Sequence, residues 1–247
     1  MTDDAIWQPL FDELNRWQAA GKTARFWLRD DDAIEPTAEL IRLLDLVTKH
    51  DLPVTLAVIP LQTGQILADY LTQFPNVTVV VHGWSHTNHA GPGEKKQELG
   101  AHRPTETVLE ELNAGFHRLQ AFHANRFVAL LVPPWNRIAP GVVAGLPGLG
   151  FKAISVFGLE KPAPLVVVNT HVDLMDWHGT RGAREPAALV ADMVKRLNEM
   201  WESGGALGFL THHLVHDEAG WAFLDQMFSV TRRHPACRWI PLTDMVE

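Results

Sequence analysis

Apolar residues recur along this chain in two alternating rhythms. Dense runs at 25–29, 54–59, 77–81, 127–132, 151–156, 165–170 and 206–210 are short, and several are rich in β-branched residues. That is the pattern of strands buried on both faces. A brief Trp239-Ile240 run follows near the end. Between the runs, apolar residues fall three and four apart, as one face of a helix requires. Leu10, Leu14 and Trp17 mark a helix over 5–20. Leu40, Leu43, Leu44 and Val47 mark one opened by Pro36-Thr37, and Leu189, Met193, Val194 and Leu197 mark one over 185–202, closed by Gly204-Gly205. Further helices are predicted over 63–73, 105–123, 138–146 and 218–233. Residues 90–103 carry neither rhythm and read as a loop of lid type. Seven or eight strands with interleaved helices predict an α/β fold built on a parallel sheet and closed as a (β/α) barrel.

Size agrees with one such domain spanning 1–247. With 247 residues, 46% of them hydrophobic, the chain can bury a sizeable core. Asp and Glu outnumber Lys and Arg by 29 to 21, for a net charge of -8, and no dense basic run offsets this. Nucleic acid and anionic membranes are therefore not expected as partners. The single Cys237 excludes an internal disulfide framework and a Cys-rich zinc module. The first residues lack a basic start and an apolar core segment, and no run approaches the roughly 18 apolar residues of a membrane span. A cytoplasmic protein is the expectation.

Polar clusters sit where the apolar runs end. They are Asp30-Asp31-Asp32, His82 with His86, Pro133-Pro134-Trp135-Asn136-Arg137, Asp173 with Asp176-Trp177, and His212-His213 with His216. The ends of parallel strands converge on one mouth of a barrel, so clusters nearly 200 residues apart come together there. If residues 82–86 turn as a helix, both imidazoles share one face, within reach of one ion. One carboxylate and two imidazoles form a typical ligand set for a catalytic cation that keeps a position open for water. A second carboxylate beside it can take a proton from water, and a histidine opposite can protonate a leaving amine or alkoxide. Adjacent aspartates can divide ligand and base between them.

At these residues the chain resembles the polysaccharide deacetylase family, the chitooligosaccharide-deacetylase-like carbohydrate esterases, from about residue 25 to about 215. The family motif Thr-Phe-Asp-Asp-Gly lies over Arg29-Asp30-Asp31-Asp32-Ala33, which implies Asp31 as general base and Asp32 as metal ligand. His82-Gly83-Trp84-Ser85-His86 matches the second motif outright and implies two further ligands. Val132-Pro133-Pro134-Trp135 lies over the third, with the Trp135 N–H as an oxyanion donor. Asp173-Leu174-Met175-Asp176-Trp177 matches the fourth, in which Asp176 orients the catalytic histidine. Leu210-Thr211-His212 matches the fifth, with His212 as general acid. By the same resemblance Trp84, Pro134, Trp135, Trp177 and Leu210 line the substrate site, the fold is a distorted (β/α) barrel of about seven parallel strands, and the substrates are N- or O-acetylated sugars.

Three departures change what this implies. Val132 stands where the family has an arginine that tethers the base, and either Arg29 or Arg137 is left to supply that charge. A third consecutive aspartate leaves the base and ligand positions open by one residue. His212 and His213 compete for the acid role, with alternation along the strand sending only one into the pocket. His89, His102, His171, His178 and His216 are expected at the rim or surface. Zinc suits the ligand set, and cobalt, nickel, manganese or iron also fit an Asp-His-His face. The expected activity is metal-dependent deacetylation of a sugar. A ureide or cyclic-amide hydrolase and a non-catalytic binding protein are the alternatives.

Overall fold

The computed structural model describes residues 3–246. Helix α1 (Asp3–Ala19) leads into β1 (Ala24–Ala33), α2 (Ala38–Lys49), β2 (Val54–Val58), α3 (Gln65–Leu71) and β3 (Val77–His82). Then come α4 (Thr105–Phe122), β4 (Phe127–Val132), α5 (Pro140–Gly145), β5 (Ala153–Ile154), β6 (Val166–Val167) and β7 (Val172–Asp173). The chain ends with α6 (Pro186–Ser203), β8 (Leu207–Thr211), α7 (Glu218–Arg233), β9 (Cys237–Trp239) and α8 (Thr243–Val246). No described helix is long and apolar enough to cross a membrane.

All strand pairings are parallel, in the order β6-β5-β4-β3-β2-β1-β8-β7, with β9 added beside the start of β1. The two ends of this order are joined by one short run of chain. Thr170 N–H bonds Val156 O at 3.0 Å, on the β5 side, and the next residue, His171, bonds Gly208 O at 2.7 Å, on the β8 side. The segment thus changes partner midway. This distorts the barrel and shortens the strands expected over 151–156 and 165–170 to two residues each.

Side chains alternate between two separate cores, as the period of a strand requires. Phe26, Leu28, Leu56, Val58, Val79, Val81, Leu131 and Phe209 face the helices. Trp27, Ala57, Val80, Leu130, Val132 and Ala153 fill the barrel interior, closed below by Ile240 and Leu242. Gly208 lies opposite Trp27, and a Cβ there would come within 2.4 Å of the indole Nε1 and of Asn169 O. The helices bury the predicted stripes. In α2 these are Leu40, Leu43, Leu44 and Val47, and the Thr37 hydroxyl caps the first turn by accepting from Leu40 N–H at 3.2 Å.

Candidate metal centre

The alternation that builds the two cores also sorts the polar residues. On β1, Arg29 and Asp31 follow Trp27 and face the interior, while Asp30 follows Leu28 and faces the helices. On β3, His82 follows Val80 inward. Beyond β8, His212 continues the inward row of Gly208 and Leu210, and His213 the outward row.

Strand β1 runs further than the 25–29 run expects and carries all three aspartates within it. Its register against β2 shifts between Asp30 and Ala33, and Asp32 takes a left-handed φ of 72°. This bulge re-aims the third carboxylate toward the mouth. The helix envisaged over 82–86 does not form. His82 ends β3, Gly83 turns with φ 57°, and His86 itself has φ 58°. Two left-handed residues, rather than a helical turn, bring the imidazoles to one side, with ring centroids 5.1 Å apart. Trp135 (φ 54°) and Asn136 (φ 56°) are left-handed as well. Among the described residues, four of the six non-glycine residues with positive φ therefore lie in this one cluster, where backbone strain commonly marks function.

Asp32, His82 and His86 each offer a ligand atom, all within 4.8 Å of one another. Asp32 Oδ1 lies 3.1 Å from His82 Nε2 and 3.3 Å from His86 Nε2. His82 Nδ1 donates to Val132 O at 3.0 Å, which orients the ring with Nε2 toward Asp32. The set fits a divalent cation in donor type, spacing and outer support. Burial pushes the Asp32 carboxyl up, but the hydrogen bond and charge of His82, with His212 and His86, hold it well below the ordinary range. Burial and the nearby His82 depress the His86 imidazole.

Asp31 sits beside this triad in the grip of Arg29, whose side chain has no exposed surface. Nε lies 2.9 Å from Asp31 Oδ1, and Nη2 donates to Oδ2 at 3.0 Å. The remaining donors reach Ser155 Oγ at 2.6 Å and Asn136 Oδ1 at 3.1 Å. Arg29 thus carries the charge for which Val132 has no substitute. Arg137, the other candidate, donates instead to Lys96 O at 2.7 Å in the outer loop. His212 Nε2 stands 3.9 Å from Asp31 Oδ2, and its ring meets Trp177 edge-on at 4.7 Å. His213 lies on the far side of the strand, paired with Asp30.

Asp176 does not make the contact with His212 that the resemblance implies. Its carboxylate is taken up in its own turn, accepting Gly179 N–H and Thr180 N–H at 3.0 Å each. The Asp173 carboxyl is pushed up by burial, against the charge of the nearby His212, and it accepts the Trp177 indole N–H at 2.8 Å. Among the expected lining residues, Leu210 and Pro134 are buried, Trp84 and Trp135 are half-buried, and Trp177 is exposed. The Trp135 ring lies 4.3 Å from that of His86.

Sequence reasoning misses Glu98. It lies in the aperiodic 90–103 stretch, is 1% exposed, and accepts Trp84 N–H at 3.2 Å and Ser85 N–H at 2.7 Å. The expected lid is pinned at this point beneath the His82–His86 loop. Ser155 is missed too, and Asn136 is placed in a polar cluster without a role, because no sequence signal separates a guanidinium acceptor from a loop residue. A cavity of about 470 Å³ lined by Arg25, Trp27, Glu160, Asn169 and Arg196 opens at the opposite mouth, and none of the clustered residues lines it.

No known family model matches the sequence. No curated protein matches it either. Solved structures do match. A protein assigned as a polysaccharide deacetylase from Mycobacterium smegmatis superposes with a TM-score of 0.69 at 16% identity, over 92% of this chain and 90% of that one. A family 4 acetyl xylan esterase from Clostridium thermocellum, in complex with cobalt, gives 0.59 at 16%, over 90% and 89%. A family 4 pseudoenzyme from Bacillus anthracis gives 0.60 at 15%, over 92% of this chain and 66% of that one. The fold of this chain is that of the polysaccharide deacetylases and family 4 carbohydrate esterases.

Proposed function

We propose that this chain belongs to the polysaccharide deacetylase family and is a divalent-metal-dependent hydrolase that removes acetyl groups from an N- or O-acetylated sugar. The fold does not decide this, since an enzyme and a pseudoenzyme share it. The observation that carries the reading is a buried carboxylate, Asp31, clamped by Arg29 between the Asp32, His82 and His86 triad and His212. A binding protein needs the triad alone. The clamped carboxylate and the imidazole across from it are the parts that proton transfer requires.

A cation held by Asp32, His82 and His86 supplies Lewis acidity at this corner. Zinc is the expected metal by ligand type. Asp31 is the base: Arg29 fixes its orientation, and it takes a proton from the attacking water. His212, on the opposite side, gives a proton to the departing amine or alkoxide. The Trp135 N–H donates to the carbonyl oxygen as negative charge gathers on it. Trp84, Trp135, Trp177, Pro134 and Leu210 shape the acyl and sugar subsites around these groups.

The test is metal analysis of the purified protein, then acetate release from a panel of acetylated sugars by the metal-loaded protein, with cyclic amides in parallel. Acetate release that Asp31→Asn abolishes at full metal content supports the reading. Ring-opening of the cyclic amides without acetate release replaces the substrate class. Metal binding without turnover on either panel refutes an enzyme. The same assay on the apo protein separates metal dependence from background.

A further inference from the structure

Asp30 is the aspartate that neither the triad nor the base role uses. It has no exposed surface and faces the helix side of β1, away from the mouth. Its carboxylate nevertheless reaches the next strand at two points. Asp30 stands opposite Thr211 in the β1–β8 register. Oδ2 accepts the Thr211 hydroxyl at 2.7 Å and the His213 backbone N–H at 3.0 Å, while Oδ1 pairs with His213 Nδ1. These partners are the two residues that flank His212. The backbone of His212 is held separately, its N–H donating to His216 Nε2 at 3.1 Å and its carbonyl accepting Val215 N–H at 3.0 Å.

We propose that Asp30 is a positioning residue for His212, fixing the imidazole opposite Asp31 by clamping the residues before and after it. The catalytic side of this inference rests on the reading of His212 as proton donor; the geometric side does not. Consecutive residues of β1 point to opposite faces. Asp31 enters the cavity directly, and Asp30, on the outer face, holds the residues on either side of the group across from it. One peptide unit thereby sets the spacing between the two proton-handling side chains. A buried carboxylate with three donors is rigid, because releasing any donor leaves it unpaired away from water. The His212 ring needs such support, since its Nδ1 has no hydrogen-bond partner and Asp176 does not reach it.

The test compares Asp30→Leu, which removes every acceptor at similar volume, with Thr211→Val, which removes only the hydroxyl. Crystal structures of both variants read the position of the His212 ring. We expect the ring to leave its 3.9 Å placement against Asp31 in Asp30→Leu, and to shift less in Thr211→Val, with Asp32, His82 and His86 undisturbed. Turnover should fall at least 10-fold in kcat for Asp30→Leu, with KM and metal content unchanged. In a His212→Ala background, Asp30→Leu should add no further loss, whereas a merely structural role would add its full effect. A ring unmoved in Thr211→Val and Asp30→Leu, a moved ring with unchanged kcat, or additive losses would each overturn the proposal. If Asp30→Leu does not fold, the ring position in Thr211→Val decides. If the parent protein turns over no acetylated substrate, the functional reading fails, and the ring position still decides whether Asp30 holds His212.

Discussion

Arg29→Met is the perturbation that most directly probes the site. Methionine keeps an unbranched stem of similar length among the residues of the barrel interior and removes only the guanidinium. Four contacts disappear: two to Asp31, one to Ser155 and one to Asn136. Asp31 is 2% exposed, so its carboxyl is left buried without the partner that clamps it. Breaking a buried pair from one side costs about 3–5 kcal/mol. For a chain of this size each kcal/mol moves Tm by about 2–4 °C, so a fall of at least about 6 °C is expected. Calorimetry in the presence of a chelator is the assay, because bound metal would add its own stabilisation. Asp31→Leu combined with Arg29→Met removes both charges, and the double variant should recover most of the lost stability while staying inactive. Stability and activity then part company, as expected when two charges are kept for chemistry rather than for folding. An Arg29→Met protein within about 1 kcal/mol of the parent would refute this account of the buried pair.

Three further expectations follow from the same geometry. His82→Ala should weaken cation binding by at least about 100-fold, the upper range for loss of a mere outer-sphere partner, and full occupancy by metal analysis would remove His82 from the ligand set. Gly83→Ala should lose about 2–4 kcal/mol in a urea melt, since the position is left-handed and the new Cβ would sit 2.0 Å from Glu98 Oε2; the metal affinity should fall with it because His86 rides on that loop, and an unchanged melt would refute the fit. His123, 3% exposed and with both ring nitrogens unpartnered, is pushed down by burial from 6.5 to about 4. The unfolded chain therefore takes up a proton first. Stability is fully present above the unfolded value of 6.5, and falls as pH drops toward 4 by up to about 3 kcal/mol. His123→Leu should flatten that limb of the stability–pH curve, and an unaltered slope would assign acid sensitivity elsewhere.

Much of this protein is readable without coordinates, for a simple reason. Hydrophobic period is local, so the order of strands and helices follows from the spacing of apolar residues, and the parallel sheet follows from their alternation. The same period predicts that His212 and His213 part. The family resemblance implies the Asp32, His82 and His86 set.

What the chain alone leaves open is decided by contacts between residues distant in sequence. Whether Arg29 or Arg137 stands in for the missing arginine depends on Ser155 and Asn136, which reach Arg29 from other strands and loops. The division of labour among three adjacent aspartates depends on a bulge that turns Asp32 and on a neighbouring strand that captures Asp30. Asp176 matches its motif in sequence, yet its carboxylate is taken by amides of its own turn. The two histidines of the triad are gathered by left-handed backbone at Gly83 and His86, held from below by Glu98, where a helical reading places them on a regular turn. Residue type and period are properties of the chain, but the direction of a side chain in a loop is set by which donors and acceptors the folded protein brings within reach of it.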